Sequence, residues 1–117
     1  MMKKGRIAEV YRFLAVASMA KMTDDEKIAL IRLLRQMKPV AVEIQEAVSD
    51  AMKQAEQSGM EREAAVQLAE RAAQDIAMAD VDMDLHQLAQ QAFDHLVLSN
   101  NWTFAQIDEL EGVISGN

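Results

Sequence analysis

Two histidines, nineteen carboxylates and no cysteine are the material from which this chain could build a catalytic or metal-binding site. Without cysteine there can be no disulfide, thiolate ligand or thiol nucleophile. Asp80, Asp82 and Asp84 alternate as the ligands of a calcium loop do. The sixth position of such a loop needs glycine and here is Leu85, and the twelfth needs a bidentate glutamate and here is Gln91. Capping of a helix is the expected role of one of these aspartates. His86 and His95 are expected on one helix, nine residues apart. At 100° per residue they would stand on opposite sides of it and could not share a metal. No His-Glu-x-x-His, Glu-x-x-His, Gly-x-Ser-x-Gly or phosphate-loop pattern occurs. The close carboxylates Glu61 with Glu63, and Asp108 with Glu109 and Glu111, lack the apolar, aromatic setting that raises an acid's pKa. These residues point to no catalytic residue, no metal and no cofactor.

Charge carries more information. Through Lys38 nine basic residues face four acidic ones, a net +5, whereas from Pro39 onward three basic residues face fifteen acidic ones, a net −12. Such asymmetry suggests docking of the basic third on the acidic remainder, within one chain or between chains, or contact with a charged partner. Lys27, Arg32, Arg35 and Lys38 fall within roughly 140° of helix circumference and form a basic strip. An overall charge of −7 and the lack of interleaved aromatics oppose nucleic-acid binding.

The elements that must carry these groups are helical. Nineteen alanines, four glycines, one proline and 4% aromatic residues do not suit a sheet, which favours β-branched and aromatic side chains and needs turn residues between strands. With 117 residues the chain is expected to form a single helical domain, 1–117, with a thin core. Ile7, Val10, Leu14 and Ala17 predict a helix from about Lys4 to Met22. Thr23-Asp24-Asp25-Glu26 is a capping box that opens a second helix. Leu30, Leu34, Met37, Ala41, Ile44, Val48, Ala51 and Ala55 then keep a four-three step straight across Pro39. A preserved phase favours one long, proline-kinked helix from about Asp24 to Gln57, about 50 Å long, over two helices meeting at Lys38-Pro39. Ser58-Gly59 stops it. Ala65, Ala69, Ala72, Ile76 and Ala79 repeat the step on the following helix, so facing alanines predict a close antiparallel hairpin. Beyond the aspartates a helix is expected to carry Leu85, Leu88, Ala92, Phe93, Leu96 and Val97. A last helix, Phe104 to about Ile114, is capped by Thr103, has Phe104, Ile107, Leu110, Val113 and Ile114 inward, and ends before Gly116. No run is long and apolar enough to span a membrane. The basic start, Met1 to Arg6, resembles a signal-peptide leader, but Arg12 interrupts the apolar run that would follow it, and a cytoplasmic protein is expected.

The stretches Lys4-Gly5-Arg6-Ile7-Ala8-Glu9-Val10-Tyr11, Lys21-Met22-Thr23-Asp24, Arg35-Gln36-Met37-Lys38-Pro39-Val40 and Ile107-Asp108-Glu109-Leu110-Glu111-Gly112-Val113-Ile114 resemble small all-helical phage and prophage proteins of unknown function. The resemblance covers about a third of the chain. It implies an origin in a phage genome, where such proteins serve as assembly factors, structural parts or inhibitors of host machinery, and it brings no catalytic residue.

The expectation is therefore an all-α antiparallel hairpin or bundle with one long helix and short terminal helices. Its expected function is non-enzymatic protein–protein interaction or assembly, with self-association as a homo-oligomer. Leu30, Leu34, Met37, Ile44 and Val48, the basic Lys27, Arg32, Arg35 and Lys38, and Trp102 are the candidate contact residues. The alternative is an acidic inhibitor or nucleic-acid-linked regulator of host machinery.

Overall fold

A computed structural model describes residues 2–115. The expected stop at Gly116 lies outside the described residues. The protein is all-α, with helices α1 (Lys4–Ala15), α2 (Asp24–Gln57), α3 (Arg62–Ala77), α4 (Gln90–Leu98) and α5 (Phe104–Ile114). A two-residue ladder, β1 (Met2–Lys3) against β2 (Asp80–Val81), is a small addition that the helical reading did not foresee.

The chain divides into two compact units. Unit 1 comprises Met1–Tyr11 and Met37–Met83, and unit 2 comprises Arg12–Gln36 and Asp84–Asn117. α1 and α2 each contribute residues to both. α2 runs uninterrupted through Pro39, with the bounds that phase and capping predict. Pro39 cannot donate to the Arg35 carbonyl four residues back. It sits on the exposed side of the helix, where water can reach the carbonyl left unpaired.

In unit 1, α2 ends in a Schellman turn. The Met60 N–H donates to the Ala55 carbonyl (3.0 Å) and the Gly59 N–H to that of Glu56 (3.1 Å). Gly59 takes a φ of 68°, open to glycine without strain. α3 then returns along α2 as the alanine pattern predicts. Ala41 and Ile44 of α2, together with Ala8 of α1, pack against Ala73, Ile76 and Ala77 of α3, and Tyr11 closes the cluster. Ala65 and Ala69 are buried as expected, but Ala79 is exposed beyond the end of the helix. Ala73 and Ala77 join the expected Ile76 on the inner side there. The approach is close at Gly5, where a Cβ would come within 2.8 Å of the Ala77 Cβ. The short ladder sits at this end, with Met2 opposite Val81 and Lys3 opposite Asp80. The Lys4 N–H donates to the Ala79 carbonyl (2.9 Å), satisfying one of the donors that a helix start leaves free.

In unit 2, α1 stops at Ala15, seven residues short of the expected Met22. The Ser18 and Lys21 N–H groups, which a longer helix would use internally, instead donate to Asn100 Oδ1 (2.9 Å) and Ser99 Oγ (2.8 Å). The Thr23–Glu26 capping box forms as predicted, with Thr23 N–H to Glu26 Oε1 at 2.9 Å and Glu26 N–H to Thr23 Oγ1 at 3.3 Å. The expected aspartate-capped helix through Leu85 and Leu88 does not form. α4 begins only at Gln90, with Ala89 as its uncapped boundary residue. The preceding segment is not helical, and other groups hold its backbone. Gln36 Nε2 donates to the Asp84 carbonyl (3.1 Å), Gln36 Oε1 accepts from the His86 N–H (2.7 Å), and the Leu88 N–H donates to the Ile114 carbonyl (2.7 Å). Leu85 and Leu88 are buried nonetheless. α5 has the predicted cap, a box in which Thr103 and Gln106 each bond the other's backbone N–H. Leu110, Val113 and Ile114 point inward, but Phe104 is exposed, contrary to expectation.

Candidate functional site

Unit 2 holds the most chemically distinctive contact of the protein. His95, in the last turn of α4, places Nδ1 2.7 Å from Glu26 Oε1 in the first turn of α2. The Thr23 backbone N–H and then the His95 ring hold the Glu26 carboxyl below its ordinary range. An ionised carboxylate only accepts hydrogen bonds, so Nδ1 carries the proton in this contact. A carboxylate that fixes an imidazole in this way is used in enzymes to orient a general base and in metal sites to orient a ligand. Among the described residues no three His, Asp or Glu side chains form a metal-binding group. The neighbouring Ser99 Oγ donates to the His95 carbonyl oxygen (2.8 Å) and accepts from the Lys21 N–H. The contact thus ties the end of α4 to the capped start of α2. Asn100 supports the same seam, its amide donating to the Ser18 and Leu96 carbonyls at 2.9 Å each. His86 lies on the non-helical segment before α4 and is exposed, so the expected pair of histidines on one helix does not exist.

Of the candidate contact residues, Leu30, Met37 and Ile44 are buried in the chain's own packing, and Leu34 and Val48 are half-buried. Trp102 is half-buried as well, tilted 43° over Phe13 with ring centroids 5.1 Å apart. Arg32 and Arg35 are exposed in unit 2, where Lys27 is half-buried, and Lys38 is exposed in unit 1.

The charge division along the chain does not survive folding. Unit 1 holds seven basic and eleven acidic side chains, net −4, and unit 2 five and eight, net −3. Lys3 pairs with Asp80 (2.9 Å) and Lys4 with Glu43 (2.6 Å), so part of the basic start docks on the acidic remainder within one chain.

Apolar surface is left uncovered. In unit 2, Val16 is 86% exposed, Phe104 84%, Leu98 68%, and Ile28 and Ile31, one turn apart on α2, 48% and 37%. Among the described residues of unit 1, Met60, Val66, Leu68 and Met78 are exposed large apolar side chains. The helical pattern places Ile28 and Ile31 off the Leu30–Met37 seam, and their exposure was legible from that phase. The bareness of Phe104 was not, because an amphipathic pattern does not say where a helix's first turn loses its cover.

Neither a protein-family model, a curated protein nor a solved structure matches this chain. Among the described residues no helix is long and apolar enough to cross a membrane.

Proposed function

We propose that this chain is a non-enzymatic interaction or assembly protein that works in the cytoplasm as a homo-oligomer, of the kind encoded in phage genomes. The observation that carries this reading is the uncovered apolar surface of unit 2, where Val16, Ile28, Ile31, Leu98 and Phe104 all stand at least a third exposed. A surface of this kind lowers its free energy by association, at about 25 cal/mol per Å² of apolar area removed from water. The reading of the acidic chain as a nucleic-acid-linked regulator draws less support, since each unit mixes its charges to a modest net value. Size-exclusion chromatography with light scattering of the full chain tests the proposal. Mass above the 13.0 kDa monomer, rising with concentration, supports it. A strict monomer at every concentration contradicts it.

A further inference from the structure

The basic strip on α2 has a second half. Within unit 2 the exposed positions of this helix are Asp24, Asp25, Ile28, Ile31, Arg32 and Arg35. Asp24, Ile28, Ile31 and Arg35 follow a four-three-four step, which sets them in one line along the helix, and Asp25 and Arg32 flank that line on the same side. The order along the stripe is two carboxylates, two isoleucines, two guanidiniums. Among the described residues none of the four charged groups forms an ion pair within the chain.

A stripe ordered in this way complements itself when turned end for end. The midpoint between Ile28 and Ile31 is also the midpoint between Asp24 and Arg35. We propose that a second copy of this chain docks on the stripe, antiparallel, about a two-fold axis passing between Ile28 and Ile31. Ile28 then meets the partner's Ile31, Asp24 meets the partner's Arg35, and Asp25 flanks the partner's Arg32, each contact occurring twice as a two-fold interface requires. Lys27, on the other flank, falls beside the partner's Leu34, an apolar neighbour for its methylene stem rather than a like charge. A parallel pairing would set aspartate on aspartate and arginine on arginine, so the charges select direction as well as partner.

This inference rests on the self-association proposed above and names the surface that performs it. Three turns of helix, about 16 Å, make a small interface, so the dimer is reversible and weakens as salt screens its charged ends.

Sedimentation equilibrium of the full-length chain tests the pairing with two variants, Arg32→Glu with Arg35→Glu, and Asp24→Lys with Asp25→Lys. Circular dichroism first confirms that each is helical. Each variant alone sets like charges against like across the two-fold, and its self-association is expected to weaken at least about tenfold. An equimolar mixture opposes an all-acidic stripe to an all-basic one and is expected to restore dimer to the unmodified level or above. If the unmodified chain associates and both variants associate equally well, this stripe is not the interface, although self-association stands. Weakened variants that the mixture fails to rescue would overturn the antiparallel pairing. An unmodified chain that stays monomeric throughout overturns both the pairing and the self-association on which it rests.

Discussion

The two units are built from different stock. Six of the eleven buried apolar residues of unit 1 are alanine (Ala8, Ala41, Ala51, Ala55, Ala65 and Ala69), whereas unit 2 buries one alanine, Ala92, among twelve that include Phe93, Leu96, Leu110 and Ile114. Unit 1 is held by backbones brought close together, and its turn and ladder bond backbone to backbone. Unit 2 is held by bulk, with side chains of Gln36, Asn100, Ser99, His95 and Glu26 stitching its loops to its helices. A unit of the first kind tolerates loss of side-chain volume and fails when volume is added. A unit of the second kind behaves in the opposite way.

Deletion in unit 2 should have the largest effect. Phe93 is almost wholly buried, and Phe93→Ala is expected to lower the unfolding free energy by about 3–5 kcal/mol in urea denaturation. Addition in unit 1 comes next. Gly5→Ala places a methyl 2.8 Å from the Ala77 Cβ and 3.2 Å from its carbonyl oxygen, neither of which can rotate away, and should cost about 1–3 kcal/mol in the same measurement. A neutral result would mean that the α1 and α3 backbones separate more easily than the alanine packing implies. Asn100→Ala removes three hydrogen bonds that join Ser18 and Leu96 to the α4–α5 loop. It should cost about 1–2 kcal/mol and raise amide exchange around Ser18 before it affects unit 1.

The smallest effect is read as a pH dependence. The Glu26 carboxyl is held below its ordinary value of 4.5, so the folded chain binds its proton less readily than the unfolded chain does. The stability it contributes is full at neutral pH. It is lost as pH falls from about 4.5 through the lower folded value. Glu26→Gln should flatten that part of the stability profile, and an unchanged acid limb in thermal melts would mean that the Glu26 carboxylate, held by the Thr23 N–H and His95, contributes no acid-sensitive stability.

Much of this was legible in the residues, and the reasons differ by region. α2 was readable to both ends because a capping box, a sustained apolar phase and a glycine stop all agreed, and phase was a better guide than Pro39. Unit 1 followed from small residues recurring at helical spacing. Unit 2 was misread in the segments flanking its helices. Residues 16–22 and 84–89 have helical patterning, but distant side chains capture their backbone groups, and no local signal announces such capture. The Glu26–His95 contact spans 69 positions and was hidden for the same reason. The self-complementary stripe was half visible: the arginines read as a basic strip, and the aspartates as a helix cap, until exposure put them on one face.

Copies of this chain are proposed to meet on the outward face of α2 in unit 2. Sedimentation velocity over a concentration series, comparing the unmodified chain with one carrying both Ile28→Glu and Ile31→Glu, tests it most directly. The sedimentation coefficient is expected to rise with concentration for the unmodified chain and to stay at the monomer value for the variant, with matching helical content. Equal rise in both chains, or in neither, would contradict it.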